Sequence, residues 1–361
     1  MRVLIDIGHP AHVHFFKNFA HEMQKKGHKV LFTLRDKEFE IELLKSEGFD
    51  YVSFGKKYKS TIGKIWGLLK YTIKEVKVCH EFHPDVFLSL GSICGAWASW
   101  FVHRPNVAGE DTYNMEQCRL YIPFANAILT GNYDHPIMSP KNEIRYNGYH
   151  ELAYLHPNYY SPDKTIFKEL GLDEETPYCI LRFVGWNASH DVGHKGISLE
   201  KKIKVIENFS KYCKVFISSE AELPIELKKY KLPTRPERIH DVIAYSKLLF
   251  GESGTMAEEA AMLGVPSIIL YPTISYYTKH LEEDYGLMYN YVLNEENIDK
   301  AINKGIELLA DKETSKKWKK KRDIMLAQKI DVTQMLVWFI ENYPESKKIM
   351  QENPDYQMRF K

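Results

Sequence analysis

A turn of small and hydroxyl-bearing residues near position 250 could bind a phosphate group. A predicted strand ends at Phe250, and Ser253, Gly254 and Thr255 then lead into a predicted helix. The first amides of a helix have no partner within the helix, and the helix dipole is positive there, so this turn favours an anion. Glu259, little more than a turn into the helix, could accept hydrogen bonds from the hydroxyls of an attached ribose. The same residue types also fit an ordinary strand–turn–helix that binds nothing.

Three histidines, His9, His12 and His14, follow the first predicted strand. The carboxyl ends of parallel strands are where the ligands of open α/β sheets bind. A neutral imidazole could accept a proton from a hydroxyl or donate a hydrogen bond to a phosphate. No carboxylate or cysteine completes a metal-binding set, and these histidines could also cap a helix or lie on the surface. We therefore treat them as candidate acid–base groups and expect no metal.

The elements that must position these residues alternate along the chain. Short β-branched runs are separated by amphipathic stretches, which is typical of parallel strands covered on both faces by helices. The 361 residues are more than one core usually covers, so we expect two domains, at residues 1–155 and 156–334, with a C-terminal helix near 335–361 packing back on the first. Strands are predicted at residues 2–7, 29–33, 51–54, 86–90, 106–108 and 127–130, and then at 179–183, 215–218, 248–250 and 267–270.

Composition and charge exclude several classes of protein. With 44% hydrophobic and 27% charged residues, the chain is neither fibrous nor disordered. The 49 basic and 48 acidic residues leave a formal net charge of +1, so we expect no nucleic-acid partner. Five widely spaced cysteines predict no disulfide framework, and the lack of an export leader or a membrane-spanning stretch predicts a cytoplasmic protein.

Residues 250–270 resemble the nucleotide-sugar site of glycosyltransferases of the GT-B fold and of the related non-hydrolysing UDP-N-acetylglucosamine 2-epimerases. These families share a Ser-Gly-Gly/Thr turn, a Glu-Glu-Ala or Glu-Ala helix start and a Gly-x-Pro end, found here at residues 253–255, 258–260 and 264–266. The resemblance implies that residues 253–255 hold a diphosphate, that Glu259 holds the ribose and that Glu258 belongs to the same donor site. The resemblance spans roughly residues 1–340, is close only at residues 250–270, and is that of a DUF354-like protein of unknown function.

The resemblance extends to the first domain. His12 corresponds best to the histidine that GT-B enzymes often carry after the first strand, so we expect it to be catalytic, and His14 is a second candidate that contacts substrate. Glu110 and Asp111 resemble the acidic loop of the lipid-linked peptidoglycan N-acetylglucosaminyltransferase, where either carboxylate could orient the acceptor or act as the base. Both could also belong to a solvated turn or cap a helix.

Gly91 and Ser92 resemble the glycine-rich loop beside the acceptor in that same transferase. In the epimerases this loop reads Gly-Asp-Thr and supplies a catalytic acid, whereas Ser92 stands at that position in this chain. The loss of the carboxylate favours glycosyl transfer over epimerisation.

Residues 182–196 follow the first strand of the second domain and carry several basic side chains. In GT-B enzymes this turn often places an Arg or Lys on the diphosphate, where it offsets the charge of the leaving group. Arg182 and Lys195 are the candidates, with His190 behind them. A structural role fits these residues as well.

Residues 56–71 are cationic, apolar and aromatic, as in a helix that lies at a membrane surface. This stretch could dock on anionic lipid near a lipid-linked acceptor, which predicts a peripheral position on the inner face of the cell membrane. Residues 316–322 are more strongly basic. Either stretch could also be an ordinary solvated helix face.

Together these features predict a GT-B protein in which two Rossmann-like domains with parallel sheets face a central cleft. We expect a glycosyltransferase that moves a sugar from a nucleotide-diphosphate sugar, with uridine as the expected base, to a hydroxyl of a sugar or lipid-linked acceptor in glycan or cell-envelope synthesis. No Asp-x-Asp pair occurs in the chain, so we expect transfer without a metal or another cofactor. The alternatives are a 2-epimerase acting on the same donor and an inactive nucleotide-sugar-binding protein.

Overall fold

Two parallel β-sheets organise the computed structural model, which describes residues 1–36, 39–56, 58, 60–184, 196–219 and 222–361, without the side chains of residues 61 and 62. The chain forms two compact units, Met1–Tyr159 with Lys329–Lys361, and Tyr160–Gln328. Each unit has a single sheet whose strands are mostly buried, because helices cover both faces.

The sheet of the first unit has the strand order β3-β2-β1-β4-β5-β6-β7. The chain runs outward from β1 in one direction and from β4 in the other, so the order reverses between these two neighbours. Ligands of open α/β sheets bind at such a reversal, beyond the carboxyl ends of the strands. The strands are β1 (Arg2–Ile7), β2 (Lys29–Asp36), β3 (Tyr51–Lys56), β4 (Val86–Leu90), β5 (Asn106–Glu110), β6 (Ala127–Gly131) and β7 (Glu143–Tyr146).

The sheet of the second unit has the order β12-β11-β10-β8-β9 and reverses between β8 and β10. The three residues of β10 are fully buried, and the strand carries the phosphate-binding turn predicted above at its carboxyl end. The strands are β8 (Tyr178–Phe183), β9 (Lys214–Ser219), β10 (Leu249–Gly251), β11 (Ser267–Tyr271) and β12 (Met288–Val292).

In the part of the chain that the structure describes, helices lie in the connections between strands, except the connection from β6 to β7. The final segment returns to the first unit, where α14 (Val332–Glu341) packs against α1 (Pro10–Lys25) and α6 (Leu152–Leu155). No helix within the described residues is long and apolar enough to cross a lipid bilayer. In the first unit the helices are α1 (Pro10–Lys25), α2 (Glu40–Ser46), α3 (Thr61–Phe82), α4 (Ile93–Phe101), α5 (Met115–Tyr121) and α6 (Leu152–Leu155), in the second α7 (Ile166–Leu170), α8 (Leu199–Phe209), α9 (Ile239–Ala244), α10 (Gly254–Met262), α11 (Tyr276–Glu283), α12 (Glu295–Ala310) and α13 (Thr314–Leu326), and in the returning segment α14 (Val332–Glu341) and α15 (Glu345–Glu352).

Candidate functional site

His12 lies at the start of α1, beside the strand-order reversal of the first unit. His9 caps this helix, because its Nδ1 accepts a hydrogen bond from the Ala11 amide at 3.2 Å. The Gly8 amide donates to Nδ1 of His12 at 3.3 Å, so the proton of the neutral His12 ring sits on Nε2. Burial and then the charge of His9 lower the pKa of His12 to about 3, although Asp111 opposes the shift. His12 is therefore neutral and suited to donating a hydrogen bond rather than taking up a proton.

Asp111 pairs with His150, a residue that the sequence patterns did not single out. Oδ2 of Asp111 lies 2.9 Å from Nδ1 of His150, which is buried beyond the end of β7. The His150 ring packs edge-on against Phe15, with centroids 4.8 Å apart. Within the described residues, Nε2 of His150 has no hydrogen-bond partner. The contact with His150 therefore fixes the orientation of the half-buried Asp111 carboxylate.

The charges of this pair act on each other. Burial by itself lowers the pKa of His150, but the Asp111 carboxylate more than offsets it, and the pKa of His150 is raised. Burial by itself raises the pKa of Asp111, but His150 reverses this effect and the pKa of Asp111 is lowered. Both groups also act electrostatically on His12. We refer to His12, Asp111 and His150 as the histidine–aspartate cluster.

The Glu110 carboxylate makes its hydrogen bonds within its own loop, not with the histidine–aspartate cluster. Its Oε1 accepts hydrogen bonds from the Thr112 amide at 2.9 Å and the Tyr113 amide at 2.8 Å. Its Oε2 accepts from the hydroxyl of Tyr121, a fully buried side chain. With both oxygens engaged, Glu110 is suited to fixing the turn that presents Asp111.

Gly91 and Ser92 also have structural partners. A Cβ at Gly91 would lie 3.3 Å from Oε2 of Glu110, and the φ of +62° at this position favours glycine. The Ser92 hydroxyl caps α4, accepting from the Gly95 amide at 3.1 Å, and donates to the buried Asp6 carboxylate. The same carboxylate lies 2.7 Å from Nη1 of Arg35. Ser92 thus belongs to a buried polar network beneath the loop.

His14 is separated from His12 by its position on α1. The two residues are two positions apart on a helix, which directs their side chains to different faces. The ring of His14 lies 5.5 Å from that of Tyr154 on α6. The structure therefore does not bring His14 into the histidine–aspartate cluster.

In the second unit, the turn predicted to bind phosphate lies between β10 and α10. Ser253 is the N-cap of α10, and its Oγ accepts from the Met256 amide at 3.4 Å. Thr255 is exposed in the first turn. Within the described part of the chain, no residue accepts a hydrogen bond from the amides of Gly254 and Thr255. Two donors at the positive end of the helix are therefore available to an anion.

Buried carboxylates follow this turn on α10. Glu258 and Glu259 are both buried, and Oε1 of Glu259 lies 3.0 Å from Nε2 of His240 on α9. The contact with His240 orients the Glu259 carboxylate.

Gly251 and Glu252 hold the turn in place. A Cβ at Gly251 would lie 2.0 Å from the carbonyl oxygen of Arg182, so a glycine is required there. Glu252 is fully buried and accepts hydrogen bonds from the amides of Ile197 at 2.6 Å and Val184 at 3.2 Å. The sequence patterns did not identify Glu252 as an anchor, because its partners lie on another loop.

Arg182 does not point toward α10. Its Nη1 donates to the Ser218 hydroxyl at 2.9 Å, at the end of β9 and on the side of β8 away from β10. The other basic candidates of this loop, His190 and Lys195, lie outside the described residues. Among the described residues, no three His, Cys, Asp or Glu side chains come together in a way that could hold a metal ion.

Comparison with known proteins identifies the fold and the family. An uncharacterised protein of Methanocaldococcus jannaschii is 25% identical over 288 residues, which cover 75% of this chain and 82% of that protein. The crystal structure of a putative UDP-N-acetylglucosamine 2-epimerase from Listeria monocytogenes aligns with a TM-score of 0.64 at 14% identity, covering 88% of this chain and 90% of that one. Glycosyltransferase VinC in complex with DTDP aligns with a TM-score of 0.61 at 13% identity, covering 94% of this chain and 99% of that one.

The similar structures and the two parallel sheets both indicate the GT-B fold. The fold predicted from the sequence is therefore confirmed. Residues 1–337 match the family described as "Protein of unknown function (DUF354)". The chain therefore belongs to the DUF354 family and has the GT-B fold.

Proposed function

We propose that this protein is a glycosyltransferase that uses a nucleotide-diphosphate sugar, with uridine as its base. The observation that supports the proposal most is the start of α10, where the amides of Gly254 and Thr255 and the hydroxyl of Thr255 are available at the end of the central strand β10. A diphosphate bound there gains hydrogen bonds and the favourable field of the helix. Glu259, oriented by His240, would accept hydrogen bonds from the ribose, with Glu258 beside it.

The first unit would bind the acceptor. Asp111 is ionised and half-buried, and its Oδ2 is fixed by His150, so a hydroxyl could donate to the other carboxylate oxygen. In the proposed step the acceptor oxygen bonds to the anomeric carbon while its proton passes to Asp111. The bond from that carbon to the phosphate oxygen breaks, and the diphosphate leaves with its electron pair. His12 would donate a hydrogen bond from Nε2, and Glu110 would hold the Asp111 loop in place.

The leaving diphosphate develops negative charge, which the helix amides stabilise without reorganising. Arg182 is bonded to Ser218, so a contribution from this guanidinium requires a change of partner when the donor binds. Helix amides, not a metal ion, carry this stabilisation in the proposal. Full loss of activity on treatment with a chelator would contradict it.

A binding experiment tests the donor site first. Thr255→Glu places a negative charge at the second position of α10, and we expect it to weaken the binding of UDP by at least about tenfold, measured by calorimetry. Ser315→Glu is the matched control, because it places the same charge at the second position of α13 in the same unit. Equal affinity of the two variants would refute the donor site.

A second candidate function is 2-epimerisation, because a putative 2-epimerase shares the fold over 90% of its chain. Incubation with UDP-N-acetylglucosamine alone separates the possibilities. An epimerase forms the 2-epimer without an acceptor, whereas a transferase releases UDP when an acceptor hydroxyl is supplied. A protein that only binds the nucleotide sugar forms neither product, and Asp111→Asn would then change no turnover.

A further inference from the structure

Helix α3 carries apolar side chains on the face that is turned away from its sheet. Ile65, Trp66, Leu69 and Ile73 are between 50% and 63% exposed. Positions 65, 69 and 73 follow each other at intervals of four, so they share one face of the helix. The opposite side of the same helix is already buried, at residues that include Tyr71. Packing within the first unit therefore does not account for the exposed residues.

The neighbouring helix α4 also carries exposed apolar side chains. Its Trp100 and Phe101 are 55% and 58% exposed. The two helices pack side by side, and the Sγ of Cys94 on α4 lies 3.8 Å from the carbonyl oxygen of Leu68 on α3. Large exposed apolar patches usually mark interaction sites. We refer to the exposed apolar residues of these two adjacent helices as the α3–α4 apolar face, which comprises Ile65, Trp66, Leu69, Ile73, Trp100 and Phe101.

The charged residues of α3 are mostly cationic. Lys64 and Lys77 are exposed, and Lys77 lies one turn beyond Ile73. Of the two glutamates on the helix, Glu75 is fully buried and bonded to Thr33, so Glu81, near the end of the helix, is the exposed acid. The rim of the apolar face is therefore complementary to a negatively charged surface.

We propose that the α3–α4 apolar face docks this protein on the surface of an anionic lipid bilayer. Tryptophan favours the boundary between lipid and water, and lysines at the rim of an apolar helix face can reach lipid phosphates. A second copy of the chain fits less well, because a two-fold interface through this face would bring the same lysines of both copies together. The proposal goes beyond the catalytic function, because docking requires no turnover.

Vesicle binding tests the proposal with the full chain. We expect wild-type protein to co-sediment with phosphatidylcholine vesicles that contain phosphatidylglycerol at least about tenfold more strongly than with phosphatidylcholine alone, and to be released by high salt. The double variant Trp66→Glu/Leu69→Glu should lose at least about tenfold of this binding. Its matched control is Ile225→Glu/Ile324→Glu, which changes two exposed apolar residues of the second unit.

Further measurements keep the outcomes distinct. Circular dichroism should show that Trp66→Glu/Leu69→Glu and Ile225→Glu/Ile324→Glu are both folded. A third variant, Lys64→Gln/Lys77→Gln, keeps the apolar face and should reduce the preference for anionic lipid. Equal binding of wild type and Trp66→Glu/Leu69→Glu would overturn the proposal. It would also be overturned if wild type ignored anionic vesicles, or if light scattering showed a dimer that this variant dissociates. Loss of UDP binding in Thr255→Glu leaves these results unaffected, so failure of the donor site and failure of docking are distinguishable.

Discussion

Replacing Asp111 with asparagine removes one charge from the histidine–aspartate cluster while preserving the shape of the side chain. In the wild type, Oδ2 of Asp111 lies 2.9 Å from Nδ1 of His150, whose side chain is 8% exposed. Asp111 is the main group that raises the pKa of His150 against the effect of burial. In the variant, burial is opposed only by the smaller effects of Glu151 and Glu110, so we expect the pKa of His150 to fall.

The sign of the stability change follows from the two pKa shifts. The raised pKa of His150 contributes stability that is present below its unfolded-state pKa of about 6.5 and is lost as pH rises through the folded-state pKa. The lowered pKa of Asp111 contributes stability above its unfolded-state pKa of about 3.9, which is lost as pH falls. Both contributions are present near pH 5.5, which lies above the unfolded-state pKa of Asp111 and below that of His150. The His150 contribution is lost at higher pH, as the pH rises through its raised folded-state pKa.

The magnitude follows from the exposure of the pair. A hydrogen bond to a charged group contributes about 1.5 to 3 kcal/mol, and the Asp111 side chain is 35% exposed, so water screens part of its charge. We expect Asp111→Asn to lower the free energy of unfolding by about 1 to 2 kcal/mol near pH 5.5 and by less near pH 8.

Urea unfolding at the two pH values measures the difference, and NMR titration follows His150 directly. Glu174→Gln is the control, because it breaks the exposed ion pair with Lys164 and should change stability little at either pH. An equal loss of stability at both pH values, or an unshifted pKa of His150 in Asp111→Asn, would refute the proposed electrostatic coupling.

Three further changes probe the loops and the donor site. Glu110→Gln should lower the free energy of unfolding by about 1 to 3 kcal/mol, since it disturbs a buried carboxylate that accepts hydrogen bonds from two amides of the following loop, and urea unfolding measures this loss. Gly251→Ala should lower the free energy of unfolding by about 3 kcal/mol or more in the same assay, because its Cβ would lie 2.0 Å from the Arg182 carbonyl oxygen. Gly171→Ala is the control: beyond its chain neighbours, no atom of the described residues lies within 4 Å of its Cβ, so only its left-handed backbone conformation should lower the free energy of unfolding, by about 1 to 2 kcal/mol. Glu259→Gln should weaken UDP binding by roughly tenfold in calorimetry without a change in the circular dichroism spectrum; unchanged affinity would contradict the ribose role.

The arrangement of the fold was largely predictable because parallel sheets covered on both faces have near-continuous apolar strands. Such runs identified the central strands, β1 and β4 in the first unit and β8 and β10 in the second. The edge strands β7 and β12 were not predicted. Both are partly exposed, so polar residues interrupt their hydrophobic pattern.

The candidate site was predictable where it depends on local sequence. The strand–turn–helix at Ser253 was predicted from adjacent residues, and in the structure Ser253 is the N-cap of α10. The Asp111–His150 pair joins residues 39 positions apart, which the order β5-β6-β7 brings together, so no local pattern indicates it. The neutral state of His12 likewise depends on the Gly8 amide and on burial, neither of which its residue type reveals.

The return of residues 329–361 to the first unit has a consequence for synthesis on the ribosome. The buried faces of Leu336, Phe339 and Ile340 on α14 complete a core that begins with β1, whereas every residue of the second unit precedes them in the chain. During translation the second unit can therefore fold first, whereas the core of the first unit stays incomplete until α14 leaves the ribosome. A premature stop codon at position 329 is therefore expected to expose the core of the unit at the opposite end of the gene.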